Sequence, residues 1–170
     1  MKESWSSRIA RWRFNTFPAY RGAGGRVTFI RHDFMEVRIK LPLWWRTRNY
    51  VGTIYGGSIY GSVDPFYMMM LIHCLGPRYM VWDKAASIRF RRPGRSTLYA
   101  IFQFDQALVD GIRAELETTD KLDRHFTVEL KDAGGEVHAI IEKTVNVRKR
   151  TTQHSSQLQT PKNKGPQGTQ

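Results

Sequence analysis

Asn49-Tyr50-Val51-Gly52-Thr53-Ile54-Tyr55-Gly56-Gly57-Ser58-Ile59-Tyr60-Gly61-Ser62-Val63-Asp64 is the stretch on which the reading of this chain turns. Two adjacent glycines, Gly56 and Gly57, let the backbone enter a helix with its first N–H groups unobstructed. Those groups have no intrahelical partner and sit at the positive end of the helix dipole. A carbonyl oxygen placed there is polarised and a developing oxyanion stabilised; losing such a donor costs about 3–4 kcal/mol. Asp64 follows Gly57 by two turns, on roughly the same helix face. Asn49 lies upstream, on the loop that leads in. Beyond Asp64 the apolar run continues to Leu75, so a central helix is predicted over about residues 57–75.

Upstream, residues 4–17 predict a short amphipathic helix. Ser4 can cap it, and Trp5, Ile9 and Trp12 recur at i, i+4, i+7. Pro18 and the Gly22–Gly25 turn end it. Strands are expected over Gly25–Arg31 and Glu36–Leu41, the second with Val37, Ile39 and Leu41 facing one way and Glu36, Arg38 and Lys40 the other. Downstream, the period returns to two from Tyr79. Ile88 and Phe90 alternate with Arg89 and Arg91, Pro93-Gly94 turns the chain, and Thr97–Phe104 forms a strand. A helix between Asp105 and Thr119 precedes the strand of Phe126, Val128 and Leu130. The Asp132–Gly135 turn then leads into a last strand, Val137–Val147. One long helix near the front and strands joined mainly by hairpins argue for an α+β fold, a single domain over residues 1–150. Thr151–Gln170 is polar and basic with one aliphatic residue, Leu158, and reads as a disordered tail.

The bulk numbers narrow the setting. The chain has 170 residues, 41% of them apolar and 12% aromatic, which suits one folded domain. The single cysteine, Cys74, excludes an internal disulfide and makes a reducing compartment the default. The apolar run Val63–Leu75 falls short of the roughly 20 residues a membrane helix needs. With no secretory signal either, a cytoplasmic protein without a membrane span is expected. The net charge of +12 favours polyanions: nucleic acid, acidic lipid, or a phosphorylated ligand such as coenzyme A. No aromatic-basic RNA motif accompanies it, so nucleic acid is not expected. His32, His73, His125, His138 and His154 lack metal-ligand spacing, and no metal or cofactor is expected.

The central run resembles the hotdog-fold acyl-CoA thioesterases, whose signature is Asn-x-x-Gly-Thr-x-His-Gly-Gly followed by an acidic residue in the central helix. Asn49, Gly52, Thr53, Gly56, Gly57 and Asp64 match it with the same spacing. The segments Asn49–Thr53, Asp64-Pro65 and Trp82–Phe90 are similar to an uncharacterised bacterial branch of tetrameric acyl-CoA thioesterases. The likeness covers about residues 5–148. It implies a curved antiparallel sheet wrapped around one central helix, and an acyl-CoA substrate. It also implies a homodimer or homotetramer with the site at the subunit interface. By position, the Gly57 N–H would polarise the thioester carbonyl. Asp64, from the neighbouring subunit, would activate water or attack directly, and Asn49 would orient water or substrate. Asp83 stands where related enzymes have a small polar residue that holds the water. Tyr55 replaces the family's histidine; a phenol can donate a hydrogen bond but is a poor base at neutral pH. Coenzyme A is a polyphosphate, and Arg89, Arg91, Arg92 and Arg95 around Pro93-Gly94 form the natural clamp for it.

Each feature also has a structural reading. Gly57 and Gly61 allow close helix packing. Asp64-Pro65 fits an N-cap followed by an N1 proline, which restarts the helix there. The arginines suit a charged sheet edge. For the whole chain, the alternative to hydrolysis is a non-catalytic acyl-CoA or fatty-acyl sensor.

Overall fold

The computed structural model describes residues 3–150; the polar tail Thr151–Gln170 lies outside the described residues. In chain order the elements are α1 (Trp5–Thr16), α2 (Pro18–Ala23), β1 (Arg26–Ile30), β2 (Glu36–Leu41), α3 (Gly56–Val63) and α4 (Phe66–Leu75). They continue with β3 (Tyr79–Phe90), β4 (Leu98–Gln103), α5 (Gln106–Thr118), β5 (Lys121–Lys131) and β6 (Val137–Lys149). The six strands form one antiparallel sheet in the order β1-β2-β4-β5-β6-β3. It curves around α3 and α4, which is the hotdog arrangement.

Alternation drives the packing. In β4, Leu98, Ala100 and Phe102 are buried while Tyr99, Ile101 and Gln103 are exposed. In β6, Ala139, Ile141, Val145 and Val147 turn the same way, towards the helix. The helix answers with aromatics. Phe66 meets Phe102 at 4.9 Å and Tyr20 at 5.5 Å between ring centroids. Tyr67 stacks on Phe126 at 4.5 Å, and its hydroxyl donates to the Thr127 carbonyl at 2.7 Å. Rings of this size supply much of the apolar area a small core can bury.

The central helix is divided in two. Its backbone stays helical through Asp64 (φ −51°, ψ −50°) and Pro65 (φ −79°, ψ −13°), but Asp64 closes α3 and Pro65 opens α4. Pro65 has no N–H for the Gly61 carbonyl, so the hydrogen-bond ladder is interrupted one turn behind it. The N-cap reading of Asp64 does not hold: Pro65 occupies that position, and α4 has no side-chain cap.

The N-terminal segment differs from expectation in two ways. The first helix ends before Pro18 as expected, but Pro18 also starts a second helix, α2, because proline at N1 forfeits no helical bond. Trp5, Ile9 and Trp12 are exposed, at 73%, 47% and 66%. Polar bonds to β1 and to the residue that follows it set the rotation of α1 instead. The Ser7 hydroxyl donates to the Arg31 carbonyl at 3.3 Å, and Asn15 exchanges two hydrogen bonds with Val27. Ala10 and Phe14 therefore face the core. Glu36, read as outward-facing, is buried, because Arg38 on the same strand face closes over it with Nε 2.5 Å from its carboxylate.

Replacing Phe66 by alanine is expected to lower the unfolding free energy by about 3–5 kcal/mol. Tyr67→Phe, which removes only one hydrogen bond, should cost about 1 kcal/mol. Urea unfolding of the two variants checks this ordering.

Candidate active site

The loop before α3 is shaped by Asn49. Its carboxamide oxygen accepts from the Val51 and Thr53 N–H groups at 3.1 and 3.0 Å, and its amide donates to the Thr53 hydroxyl at 2.9 Å. Gly52 takes the left-handed turn this requires, at φ +82°. The loop then pairs outward: Tyr55 N–H donates to the Thr47 carbonyl at 2.7 Å, and Ile54 N–H to the Gly94 carbonyl at 2.9 Å. The second bond ties the start of α3 to the arginine-bearing turn.

At the helix start, the Tyr55 ring lies against Gly57. A Cβ on Gly57 would fall 2.3 Å from Tyr55 Cε1, so only glycine leaves that ring where it is. A Cβ on the neighbouring Gly56 would stand 3.0 Å from the ring of Phe90, at the end of β3. Phe90, Arg89, Arg91 and Arg92 line a cavity of about 520 Å³ together with Glu136 and Val137. Phe90 thus adjoins both Gly56, the neighbour of the expected oxyanion donor Gly57, and three of the four expected phosphate ligands. Arg95 is exposed on the same turn but is not part of this lining. Arg92 is paired with Glu136 at 2.7 Å. His138 fixes the turn: its carbonyl accepts from Arg91 and Arg92 N–H, and its ring nitrogens face the Pro93 carbonyl and Asp132. Asp132, Glu136 and His138 bring their ligand atoms within 4.8 Å of one another. Each already has a protein partner there, so the cluster reads as scaffolding of the turn.

The second centre forms where the central helix is interrupted. Lys143, on β6, has a side chain with no exposed surface, and its Nζ donates to the Asp64 carboxylate at 2.9 Å and to Asp83 Oδ2 at 2.8 Å. It also donates to the main-chain carbonyl of Asp64. The Tyr60 ring lies beneath it, 5.9 Å from Nζ. Asp64 keeps 43% of its side chain open to solvent, whereas Asp83 keeps 26%. Asp83 Oδ1 is buried with no hydrogen-bond partner among the described residues. Desolvation therefore pushes the Asp83 carboxyl above its ordinary value, partly opposed by Lys143 and reinforced by the charge of Asp64. Burial, then the hydrogen bond and charge of Asp64, raise the Tyr60 phenol as well, so it stays protonated.

Lys143 and Tyr60 escape a reading of the sequence because their partners are remote; Lys143 and Asp64 are 79 positions apart. One signal does exist. Lys143 falls in phase with Ala139, Ile141, Val145 and Val147, and a charge on the inward face of a strand needs a buried partner.

Gly57 and Asp64 are separated by two helical turns, roughly 10 Å along the axis. A single carbonyl group cannot touch the Gly57 N–H and the Asp64 carboxylate of the same chain.

Comparison with known proteins follows the architecture. The family model described as a domain of unknown function, DUF4442, matches residues 6–147. Among curated proteins none matches. A Pseudomonas aeruginosa protein of unknown function, PA5026, named a probable thioesterase, superposes with a TM-score of 0.75 at 20% identity, over 84% of this chain and 95% of that one. The thioesterase HI1161 from Haemophilus influenzae gives 0.63 at 13% identity, over 87% and 94%. A mutant of the thioesterase PA1618 from Pseudomonas aeruginosa gives 0.62 at 14%, over 84% and 94%. At these identities the likeness is one of fold.

Removing one member of a buried ionic cluster leaves the others uncompensated. Lys143→Met is therefore expected to destabilise the protein by about 3 kcal/mol or more, read from urea unfolding at pH 7. Asp83 has a raised folded value, so its contribution is fully present below its ordinary value near 3.8 and is lost as the pH rises through the folded value. Asp83→Asn should thus gain on the wild type between pH 4 and 7, whereas a constant difference over that range would show that Asp83 does not titrate this way.

Proposed function

The chain belongs to the DUF4442 family, and from that footing we propose that it hydrolyses an acyl-CoA thioester to the free acid and coenzyme A. The observation that carries this reading is the Asp64 carboxylate, half-open to solvent yet fixed by a buried lysine, on the same helix as a glycine-opened N-terminus beside an arginine-lined cavity. Neighbours of the same fold that carry the name thioesterase support it.

In this reading two copies of the chain make each site, because the spacing of Gly57 and Asp64 forbids one copy from supplying both. One copy presents the first N–H groups of α3 to the carbonyl oxygen and the Arg89, Arg91 and Arg95 side chains to the coenzyme phosphates. Arg92, paired with Glu136, contributes less. The other copy presents Asp64. The exposed edge strand β3 gives the two copies a surface to share, although Trp82 and Phe90 would remain exposed on a lone chain.

Asp64 takes a proton from a water molecule as the water oxygen bonds to the carbonyl carbon. The negative charge that gathers on the carbonyl oxygen is met by the Gly57 N–H. Collapse of the intermediate breaks the C–S bond, and the proton held by Asp64 passes to the departing sulfur. Asn49 acts as a positioning residue, since its carboxamide shapes the loop that delivers Gly57. Tyr55, exposed and lying against Gly57, can donate to the thioester but need not act as a base. The reaction as written uses no cofactor.

Thiol release from acyl-CoAs of graded length tests the proposal. Asp64→Ala should lower the rate by about 100-fold or more while the protein still folds. Arg91→Ala should raise KM, and its effect should shrink at high salt. Turnover that survives Asp64→Ala would move the chemistry to another residue. Tight acyl-CoA binding without turnover would make the protein a sensor.

A further inference from the structure

A second cavity, of about 770 Å³, opens between the N-terminal helices and the outer face of α4. Its walls are Phe14 and Phe17 from the α1 side, Met68 and Ile72 from α4, and Phe34 from the loop before β2, and Asp64 lies in the same wall. Volume and lining fall in the range of small-molecule sites. Gly61 makes the close approach possible: a Cβ there would stand 2.9 Å from the Ala23 methyl, so α2 presses directly on α3 beside Asp64.

The wall contains the one strained residue among those described. Phe34 has φ +59°, a left-handed conformation that a bulky side chain rarely adopts, and it is the only non-glycine residue described there with positive φ. Asp33 secures it by accepting from Met35 N–H at 3.0 Å and Arg31 Nε at 2.6 Å. In that conformation the Phe34 ring stacks on His73 at 3.9 Å, closing one side of the cavity. Strain of this kind persists where the surroundings enforce it and gathers at ligand sites.

We infer that this cavity receives the acyl chain of the thioester, and that the chain is one of eight or more carbons. The inference rests on the hydrolase reading, since Asp64 is what joins the cavity to the chemistry. A methylene occupies about the volume of a water molecule, ~30 Å³, so a butyryl chain would fill only roughly 100 Å³ and leave the walls uncovered. A longer chain lies along Met68 and Ile72, whose flexible and branched side chains can close around it. The copy that supplies Asp64 thus also holds the acyl group, while the other copy holds the coenzyme.

S-alkyl-CoA thioethers, which cannot be hydrolysed, separate binding from turnover. Each buried methylene strengthens binding about fourfold, so S-dodecyl-CoA should bind the wild-type protein more than ~100-fold tighter than S-butyl-CoA in titration calorimetry. Ala10→Trp, which fills the cavity from α1, should abolish most of that preference. Ile72→Lys should do the same from α4, and because Ile72 is 42% exposed that variant tolerates the charge in its fold. Trp12→Ala, on the exposed side of α1, should keep the preference. Equal affinity for the two thioethers, or a preference untouched by both cavity variants, would overturn the acyl assignment while thiol release still upheld the hydrolase. A preference that both variants abolish, without any thiol release, would uphold the cavity and overturn the hydrolase.

Discussion

The buried ammonium of Lys143 is the constraint around which the candidate site is organised. Taking such a charge out of water costs several kcal/mol unless it is paired and hydrogen-bonded. Here it meets two carboxylates and a main-chain carbonyl, and those partners come from different parts of the chain: Asp64 from the helix break, Asp83 from the edge strand, Lys143 itself from β6. Satisfying one cation therefore fixes the position of the helix along its axis relative to two strands. Two carboxylates around one ammonium leave an excess negative charge. The buried Oδ1 of Asp83, without a hydrogen-bond partner among the described residues, shows which group bears the desolvation cost.

The helix break belongs to the same arrangement. A proline inside a helix normally wastes a backbone acceptor and loosens the segment. Here the lysine donates to the Asp64 carbonyl as well as to its carboxylate, so the irregular backbone gains a strong donor where regular helix bonding falters. The aromatic contacts of Phe66 and Tyr67, immediately after the proline, then pin the second segment to the sheet. Asp64 is left at a rigid corner, with its side chain directed by Lys143 rather than by its own helix.

Much of this was legible in the sequence, though unevenly. Gly56, Gly57 and Asp64 announce themselves because their spacing is local and each residue type has a distinct backbone or charge role. The alternation in β2, β4 and β6 likewise reveals the inward faces. What local patterns miss are decisions made across the fold. Trp5, Ile9 and Trp12 form an apolar stripe at helical spacing, yet Ser7 and Asn15 bond to the first strand and the residue that follows it and turn that stripe outward. Arg92 looks equivalent to its neighbours until Glu136, from the facing strand end, pairs with it. Lys143 is the clearest case: its in-phase position is visible, but not which carboxylates it meets.

Under the proposed function the two cavities divide the ligand between them. The arginine-lined cavity is attached to the start of α3 through Phe90 and through the Ile54–Gly94 hydrogen bond. The apolar cavity is attached to its end through Asp64. A ligand that used both in the proposed way would carry phosphate at one end and hydrocarbon at the other, with its reactive bond between. Nucleic acid supplies the first without the second, and a free fatty acid the second without the first. Because the two attachments lie two helical turns apart on one chain, the proposed function has such a ligand cross from one copy of the protein to the next. Under the proposed hydrolysis, assembly would be a condition of the chemistry: a lone chain would own both halves of a site, but they would be halves of two different sites.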